Sequence, residues 1–140
     1  MIQLTRRYRF SAAHRLHSAY FSETENQELY GKCNHPFGHG HDYVLDITIA
    51  GPVDQESGTA ILLPALDELV NSCVVSKFDH RDLNSEAPEF ASLVPTSENL
   101  VRVIEARLQA KWPYRFPLAW PRLQKIRLQE TKRNLFEQIL

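Results

Sequence analysis

The sequence predicts a single α+β domain, residues 1–140, with the element order ββααββ. Three observations support this class. Two long alternating segments come first, two amphipathic helical segments follow, and two shorter alternating segments close the chain. Alternation of apolar and polar residues is typical of a strand with one buried face, whereas apolar residues three and four apart are typical of a helix.

The first strand is predicted over residues 2–14, where apolar side chains occupy the even positions apart from Arg6. His14 continues this apolar phase and is therefore expected on the inner face. A second strand is predicted over residues 43–49 and ends at Gly51-Pro52. Pairing of the two strands as an antiparallel hairpin would bring His14 to the start of the second strand.

Two helices are predicted between the strand pairs. The first begins at Pro64 and carries an apolar stripe that includes Cys73, which we therefore expect in the core. The second begins after Thr96, which suits an N-cap, with Glu98 near the positive end of the helix dipole. The connections are expected to be a polar loop at residues 78–84 and a loop at 112–121, which holds three prolines.

The last two strands are predicted over residues 123–130 and 135–140. In the first of these, Glu130 falls in phase with Ile126 and Leu128, on the apolar face. A carboxylate on that face needs a partner or a ligand. The connection at residues 15–38, with one or two helical turns at 22–30, is long for a compact domain, and such connections are usually functional.

Composition excludes several classes of protein. The chain is 43% apolar and 24% charged, as globular proteins are, and its net charge of -1 favours neither nucleic acid nor an acidic membrane as a partner. No apolar run approaches the length of a membrane span, and the N-terminal residues lack the apolar h-region that is typical of a signal peptide. A cytoplasmic location is expected.

Residues 32–43 concentrate one cysteine, three histidines and two glycines. His39 and His41 project from the same strand face, in phase with Tyr43. Together with His14 they form the ligand set of a catalytic zinc, with a fourth position open, whereas structural zinc usually has four protein ligands. The alternative is that they are ordinary core or surface histidines.

Other residues with chemical potential lie nearby in sequence or in phase. Cys33 could act as a base or nucleophile if positive charge lowered its thiol pKa, or it could be an ordinary loop thiol. Asp79 and His80 resemble a carboxylate–imidazole relay, although loops often contain both residue types. His17 and His35 lie in loops and have no strand phase, so they are at most outer neighbours of the metal.

Five stretches occur together in an order that resembles the 6-pyruvoyltetrahydropterin synthase and 6-carboxytetrahydropterin synthase family, and they span nearly the whole chain. They are FSAAHRL at 10–16, YGKCNHPFGHGHDY at 30–43, FDHRDLN at 78–84, PTSEN at 95–99 and ET at 130–131. The resemblance implies a tunnelling fold (T-fold), in which a four-stranded antiparallel sheet carries two helices on one face. It also implies assembly into a barrel of three chains and a homohexamer of two such trimers, with active sites between subunits.

The resemblance also assigns roles to individual residues. It implies that Zn²⁺ is bound by His14, His39 and His41, that Cys33, Asp79 and His80 form the catalytic triad, that Glu130 anchors the pterin ring, and that Thr96, Ser97 and Glu98 line the pocket. The implied substrate is 7,8-dihydroneopterin triphosphate, which loses triphosphate without a redox cofactor. Arg15 and Lys32 are candidate basic partners of the triphosphate.

Sequence features divide between two branches of the family. The spacing Cys-x5-His-Gly-His and the insertion through Lys32 resemble the branch that makes 6-pyruvoyltetrahydropterin, on the way to tetrahydrobiopterin. Residues 95–98 resemble the branch that makes 6-carboxytetrahydropterin, on the way to queuosine. A third branch has glutamate in place of cysteine and is disfavoured by Cys33.

Two further points remain open from the sequence. The apolar run at residues 61–63 departs from the family pattern, which usually has Asp or Asn before the helix, and this puts a local structural contact in doubt. A non-catalytic relative that binds a pterin or zinc is the remaining alternative, because function depends on the site rather than on the fold.

Overall fold

The computed structural model describes residues 1–140, and its central feature is a five-stranded sheet with the order β3-β1-β2-β4-β5. The long strands pair antiparallel, as predicted, whereas β3 runs parallel to β1. The strands are β1 Ile2–His14, β2 His39–Gly51, β3 Arg81–Asp82, β4 Arg122–Gln129 and β5 Leu135–Ile139.

The short strand β3 corrects the prediction of a loop at residues 78–84 and of a sheet with only four strands. Two contacts tie this segment to the open edge of β1. The Ser11 backbone N–H donates to the Asp79 carboxylate at 2.9 Å, and the His80 backbone N–H donates to the Ser11 carbonyl at 2.6 Å. Because these bonds precede Arg81, they set it beside Ala12.

Five α-helical segments connect the strands. They are α1 Glu23–Tyr30, α2 Leu63–Val70, α3 Ser76–Phe78, α4 Leu83–Glu86 and α5 Ser97–Arg115, with 3₁₀ turns at Gly31–Asn34 and Pro88–Ala91. A π-helical turn, Asn71–Val75, joins α2 to α3, so these segments together form the first helix that the sequence predicts. In α1, Ser22 accepts from the Glu25 backbone N–H and completes a capping box.

Helix α5 extends into the segment that was predicted to be a loop from Trp112 onward, so that prediction was wrong at its start. Pro113 removes one backbone donor from the last turns, a disfavoured arrangement. Side-chain packing offsets this loss. Trp112 is buried, its indole N–H donates to the Pro121 carbonyl at 3.0 Å, and its ring lies 4.9 Å from that of Phe116.

The hydrophobic core consists of 24 buried residues. Most of them come from the inner face of the sheet and from the two main helices, and the others are Ile61 and three residues of the segment 83–90. Cys73 packs against this core, as its position on the apolar stripe predicted. The apolar run at residues 61–63 has a visible consequence: α2 begins without a side-chain cap, and Ile61 is buried in the core instead.

The β2–β4 pairing contains an irregularity that alternation alone did not predict. Lys125 pairs with Thr48 and Leu123 pairs with Ile49, so one residue of β4 is skipped between them. Leu123 is therefore buried on the same side as Ile126 and Leu128, although strict alternation placed it on the opposite face. No helix in the structure has both the length and the apolar character that crossing a membrane requires.

Candidate metal and catalytic site

The antiparallel register of β1 and β2 sets His14 directly opposite His39. The potential ligand atoms of His14, His39, His41 and Cys33 all lie within 4.8 Å of one another, and the Nε2 atoms of His39 and His41 are 2.9 Å apart. The hairpin thus brings together the three histidines of the predicted ligand set. Their role as ligands remains a prediction.

The hydrogen bonds of His14 favour a role for this side chain as a metal ligand. Its Nδ1 lies 3.0 Å from the Pro95 carbonyl oxygen, which can only accept, so Nδ1 carries the proton. In the neutral ring, Nε2 then presents a lone pair, and this atom is buried without a hydrogen-bond partner. Burial, together with His41 and His39, lowers the pKa of His14 to about 4, so the ring stays neutral near pH 7. An unpartnered buried acceptor of this kind fits a cation.

Glu130 adds negative charge to the same cluster. It follows β4, and its carboxylate oxygen lies 3.1 Å from Nε2 of His41 and 3.7 Å from Nε2 of His14. Burial lowers the pKa of His41 although the Glu130 carboxylate acts in the opposite direction. The carboxylate therefore lies beside the histidine nitrogens and adds negative charge next to the position that a cation would occupy.

Cys33 lies at the edge of the cluster, with its sulfur 3.4 Å from Nε2 of His39. Burial raises the pKa of the Cys33 thiol, and the nearby Glu130 carboxylate raises it further. This direction is opposite to the one that a catalytic thiolate needs. A cation held by the histidines would supply the missing positive charge, since a metal ion is often the largest local charge in a site.

The segment that leads into α5 contacts the cluster through the Pro95 carbonyl, which is bonded to His14. The Thr96 hydroxyl accepts from the Asn99 backbone N–H at 3.2 Å, as an N-cap does. The Ser97 hydroxyl is buried without a hydrogen-bond partner, and Glu98 is exposed in the first helical turn. Of the three residues predicted to line the pocket, only Ser97 therefore has a buried polar group still to be satisfied.

Asp79 and His80 lie apart from the histidine cluster. The His80 side chain is 83% exposed, and its Nε2 is 3.6 Å from the Asp79 carboxylate. The role of this pair as a relay remains a prediction. His80 lines a cavity with Ser11 and Asp42, whose side chains lie on the opposite face of the β1–β2 hairpin from the cluster, although His41 also borders this cavity. No hydrogen bond or ion pair joins His80 to Cys33 within the chain.

Two neighbours of the site were not singled out from the sequence. The Tyr43 hydroxyl lies 3.3 Å from Nδ1 of His14, and its position in phase with His39 and His41 was a usable signal. The Pro95 carbonyl left no signal, because every residue has a carbonyl and only the fold decides which one meets a side chain.

Together these features define an α+β protein with a three-histidine cluster, in which His14 is buried and His39 and His41 are partly buried, at one end of a mainly antiparallel sheet. A sequence profile described as "6-pyruvoyl tetrahydropterin synthase" matches residues 3–138. The chain belongs to the 6-pyruvoyl tetrahydropterin synthase family, and its fold is the tunnelling fold.

Relatives and a solved structure agree with this assignment. The chain is 38% identical to the 6-pyruvoyl tetrahydrobiopterin synthase of Poecilia reticulata (94% of this chain, 86% of the relative) and 37% identical to that of Homo sapiens (95% and 88%). The structure of Caenorhabditis elegans 6-pyruvoyl tetrahydropterin synthase superposes with a TM-score of 0.87 at 37% identity, covering 99% of this chain and 94% of that one. The 6-carboxy-5,6,7,8-tetrahydropterin synthase of Rickettsia conorii is 36% identical over 57% of this chain and 49% of its own length.

Proposed function

We propose that this protein is a zinc-dependent carbon–oxygen lyase that converts 7,8-dihydroneopterin triphosphate to 6-pyruvoyltetrahydropterin with elimination of triphosphate. The observation that carries the proposal is the buried, unpartnered Nε2 of His14, surrounded by His39, His41, Cys33 and Glu130. The names of relatives that match over nearly the whole chain support the reaction class. The cytoplasmic location remains a prediction.

The chain's own residues have distinct roles in this reaction. His14, His39 and His41 would hold Zn²⁺, which would supply a Lewis acid that makes a neighbouring carbon–hydrogen bond of the substrate side chain more acidic. The Cys33 thiol, beside that centre, exchanges protons with the substrate side chain. The Glu130 carboxylate accepts two hydrogen bonds from the amino-pyrimidine edge of the pterin.

The remaining triad members act from a neighbouring protomer. His80 is exposed and separated from Cys33 within one chain, while Asp79 is held against β1 at the edge of the sheet. An assembly that places this edge beside the histidine cluster of another copy would complete the site. We therefore include the homohexamer, a dimer of trimers, in the proposal.

The 6-carboxytetrahydropterin branch is the second candidate function. It is favoured by the resemblance of residues 95–98 to that branch, where Ser97 has its buried unsatisfied hydroxyl. The shorter match to the Rickettsia conorii relative, 57% of this chain against 94% for the Poecilia reticulata one, favours the pyruvoyl product.

One experiment separates these candidates. The purified, zinc-loaded protein is incubated with 7,8-dihydroneopterin triphosphate, and the products are identified by mass spectrometry. The pyruvoyl product with released triphosphate is expected. A carboxy product would move the chain to the other branch, and retention of the intact triphosphate would leave a pterin- or zinc-binding protein without this activity.

The role of Cys33 is tested by Cys33→Ala. This variant is expected to lose triphosphate release while its bound zinc, measured by elemental analysis, stays at the level of the unsubstituted protein. Normal turnover by the variant would remove Cys33 from the mechanism.

Sharing of the site between protomers is tested by mixing Cys33→Ala chains with His80→Ala chains, after unfolding and joint refolding. Each variant alone is expected to be inactive. Random mixing pairs an intact Cys33 with an intact His80 in about a quarter of shared sites. No recovery of activity in the mixture would place both residues in one chain's site.

A further inference from the structure

A cavity of about 730 Å³ opens beside the histidine cluster and shares His39 with it. Its lining contains the cations Arg15 and Lys32 and the imidazoles of His17 and His35, against one carboxylate, that of Glu23. This concentration of basic groups contrasts with the chain as a whole, whose net charge is -1.

The two cations in this lining have no carboxylate partner. Neither Arg15 nor Lys32 takes part in any of the nine ion pairs of the structure. The Nε of Arg15 donates to the Asn34 carbonyl at 3.1 Å, and this bond orients the guanidinium while leaving its two terminal nitrogens without a hydrogen-bond partner in the chain. Arginine in this state offers a fork of donors that matches phosphate oxygens.

A buried asparagine sets the direction of His17. Asn34 is 6% exposed, and its Nδ2 lies 2.7 Å from the Leu16 carbonyl, which can only accept, so this atom is the amide nitrogen. The same Nδ2 lies 3.1 Å from Nδ1 of His17, which must therefore accept. In the neutral ring the proton then sits on Nε2, and His17 presents an N–H donor away from Asn34.

Asn34 thus holds two members of the lining at once, Arg15 through its carbonyl and His17 through its amide. Asn84 fixes the same stretch from the other side, because its side chain exchanges two hydrogen bonds with the Arg15 backbone, at 2.7 and 2.9 Å. A rigidly held arginine and a directed imidazole N–H, with a lysine alongside, are donors prepared for a polyanion.

The geometry points to this cavity as the triphosphate subsite, with Arg15, His17 and Lys32 as the phosphate-contacting residues and Asn34 as the residue that positions the first two. The inference rests on the proposed function, since it takes 7,8-dihydroneopterin triphosphate as the ligand. His39 belongs both to the cluster and to the lining, so a substrate side chain held at the cluster has this cavity beside it for its phosphates.

The test uses binding rather than turnover. In the Cys33→Ala background, affinities for 7,8-dihydroneopterin triphosphate and for unphosphorylated 7,8-dihydroneopterin are measured by fluorescence titration. The triphosphate form is expected to bind more tightly. Arg15→Gln and His17→Phe are each expected to reduce that preference about tenfold, or about 1.4 kcal/mol, and to leave the affinity for the unphosphorylated compound within about twofold.

Lys111→Gln is the matched control, because Lys111 is an exposed cation on α5 outside this lining. It is expected to leave the preference unchanged. An equal loss of affinity for both compounds in Arg15→Gln and His17→Phe, or no loss in either variant, would overturn the assignment.

The positioning role of Asn34 has a separate readout in the active protein. Asn34→Ala is expected to raise KM for the triphosphate about tenfold with kcat retained, because the groups that meet the phosphates become misdirected while the reacting centre is kept. A fall in kcat with unchanged KM would contradict this role. These outcomes can be told apart from a failure of the proposed function. A protein that binds the triphosphate form more tightly but releases no triphosphate would keep the subsite and would lack the proposed reaction.

Discussion

Asn26 provides a sharp test of how the long connection before β2 is held. Its side chain is fully buried and contacts four backbone groups of residues 18–22. The Ser18 N–H donates to its oxygen at 2.7 Å, and its two N–H groups are shared among the carbonyls of Ser18, Phe21 and Ser22. Asn26→Ala removes all of these bonds at once.

The magnitude follows from these contacts. At about 1 kcal/mol per net hydrogen bond, one bond to the amide oxygen and one from each of its two N–H groups give about 3 kcal/mol. Two of the accepting carbonyls, those of Phe21 and Ser22, are in part-buried contacts that water can replace, and alanine improves helix propensity by about half a kcal/mol. We therefore expect Asn26→Ala to lower the free energy of unfolding by about 2–3 kcal/mol.

Urea denaturation followed by far-ultraviolet circular dichroism measures this loss, at one protein concentration, because assembly would change the apparent stability. Glu28→Ala is the control, since Glu28 lies exposed on the same helix and makes no side-chain hydrogen bond. A loss below about 1 kcal/mol for Asn26→Ala, or an equal loss for the control, would refute the idea that this side chain organises the connection.

Three other substitutions test separate features. Arg107 donates two hydrogen bonds to Glu89, at 2.6 and 2.8 Å, and holds the pKa of that carboxyl below its usual value. Glu89→Gln should therefore lower the free energy of unfolding by about 1 kcal/mol at pH 7. This difference between the variant and the unsubstituted protein should vanish as pH falls well below the ordinary glutamate pKa of about 4.3, because the carboxyl is then protonated. Denaturation curves at several pH values measure it, and a difference that persisted in acid would contradict the prediction. His80 has a positive φ of 57°, a backbone conformation that is strained for a residue other than glycine. His80→Gly should therefore raise the free energy of unfolding by about 1 kcal/mol, while triphosphate release is lost. A variant that is less stable in the same urea assay would argue against backbone strain at this position. Tyr43→Phe removes a hydroxyl from beside His14 and should weaken Zn²⁺ binding about tenfold in a chelator competition. Unchanged affinity would show that the Pro95 carbonyl alone is enough to orient the His14 ring.

The alternation of side chains along a strand predicted which histidines would meet, because this alternation depends only on strand geometry. His14 on one strand and His39 and His41 on the next share a face, and antiparallel pairing then determines that they meet. The same reasoning anticipated that Glu130 would need a partner, which the structure supplies as His41. These placements agree with the structure because they depend on positions within strands and not on the conformation of loops.

The features that sequence reasoning missed depend on tertiary contacts. Strand β3 exists because Asp79 and His80 bond to Ser11, a pairing between residues distant in sequence. Helix α5 continues through Pro113 because Trp112 is anchored from outside the helix. In both cases local propensity was overridden by packing that a single sequence does not reveal.

Asn34 illustrates the same limit within the candidate subsite. It lies in the motif between Cys33 and the histidines, where the residue pattern assigns it no separate role. His17 lies in a loop, and a loop has no periodicity from which the direction of a side chain could be predicted. Only the orientation of the Asn34 amide, which the Leu16 carbonyl determines, gives His17 a direction.

The contact between His14 and the Pro95 carbonyl joins the candidate metal site to the residue that precedes the α5 cap. If this site binds a metal ion, metal binding and the folding of this helix start are thermodynamically linked, and linkage is reciprocal. A cation that stabilises the bonded His14 tautomer also tightens the N-terminus of α5. Conversely, a substitution that frays α5 at Thr96 would be measured as weaker metal retention, although Thr96 itself donates nothing to the metal.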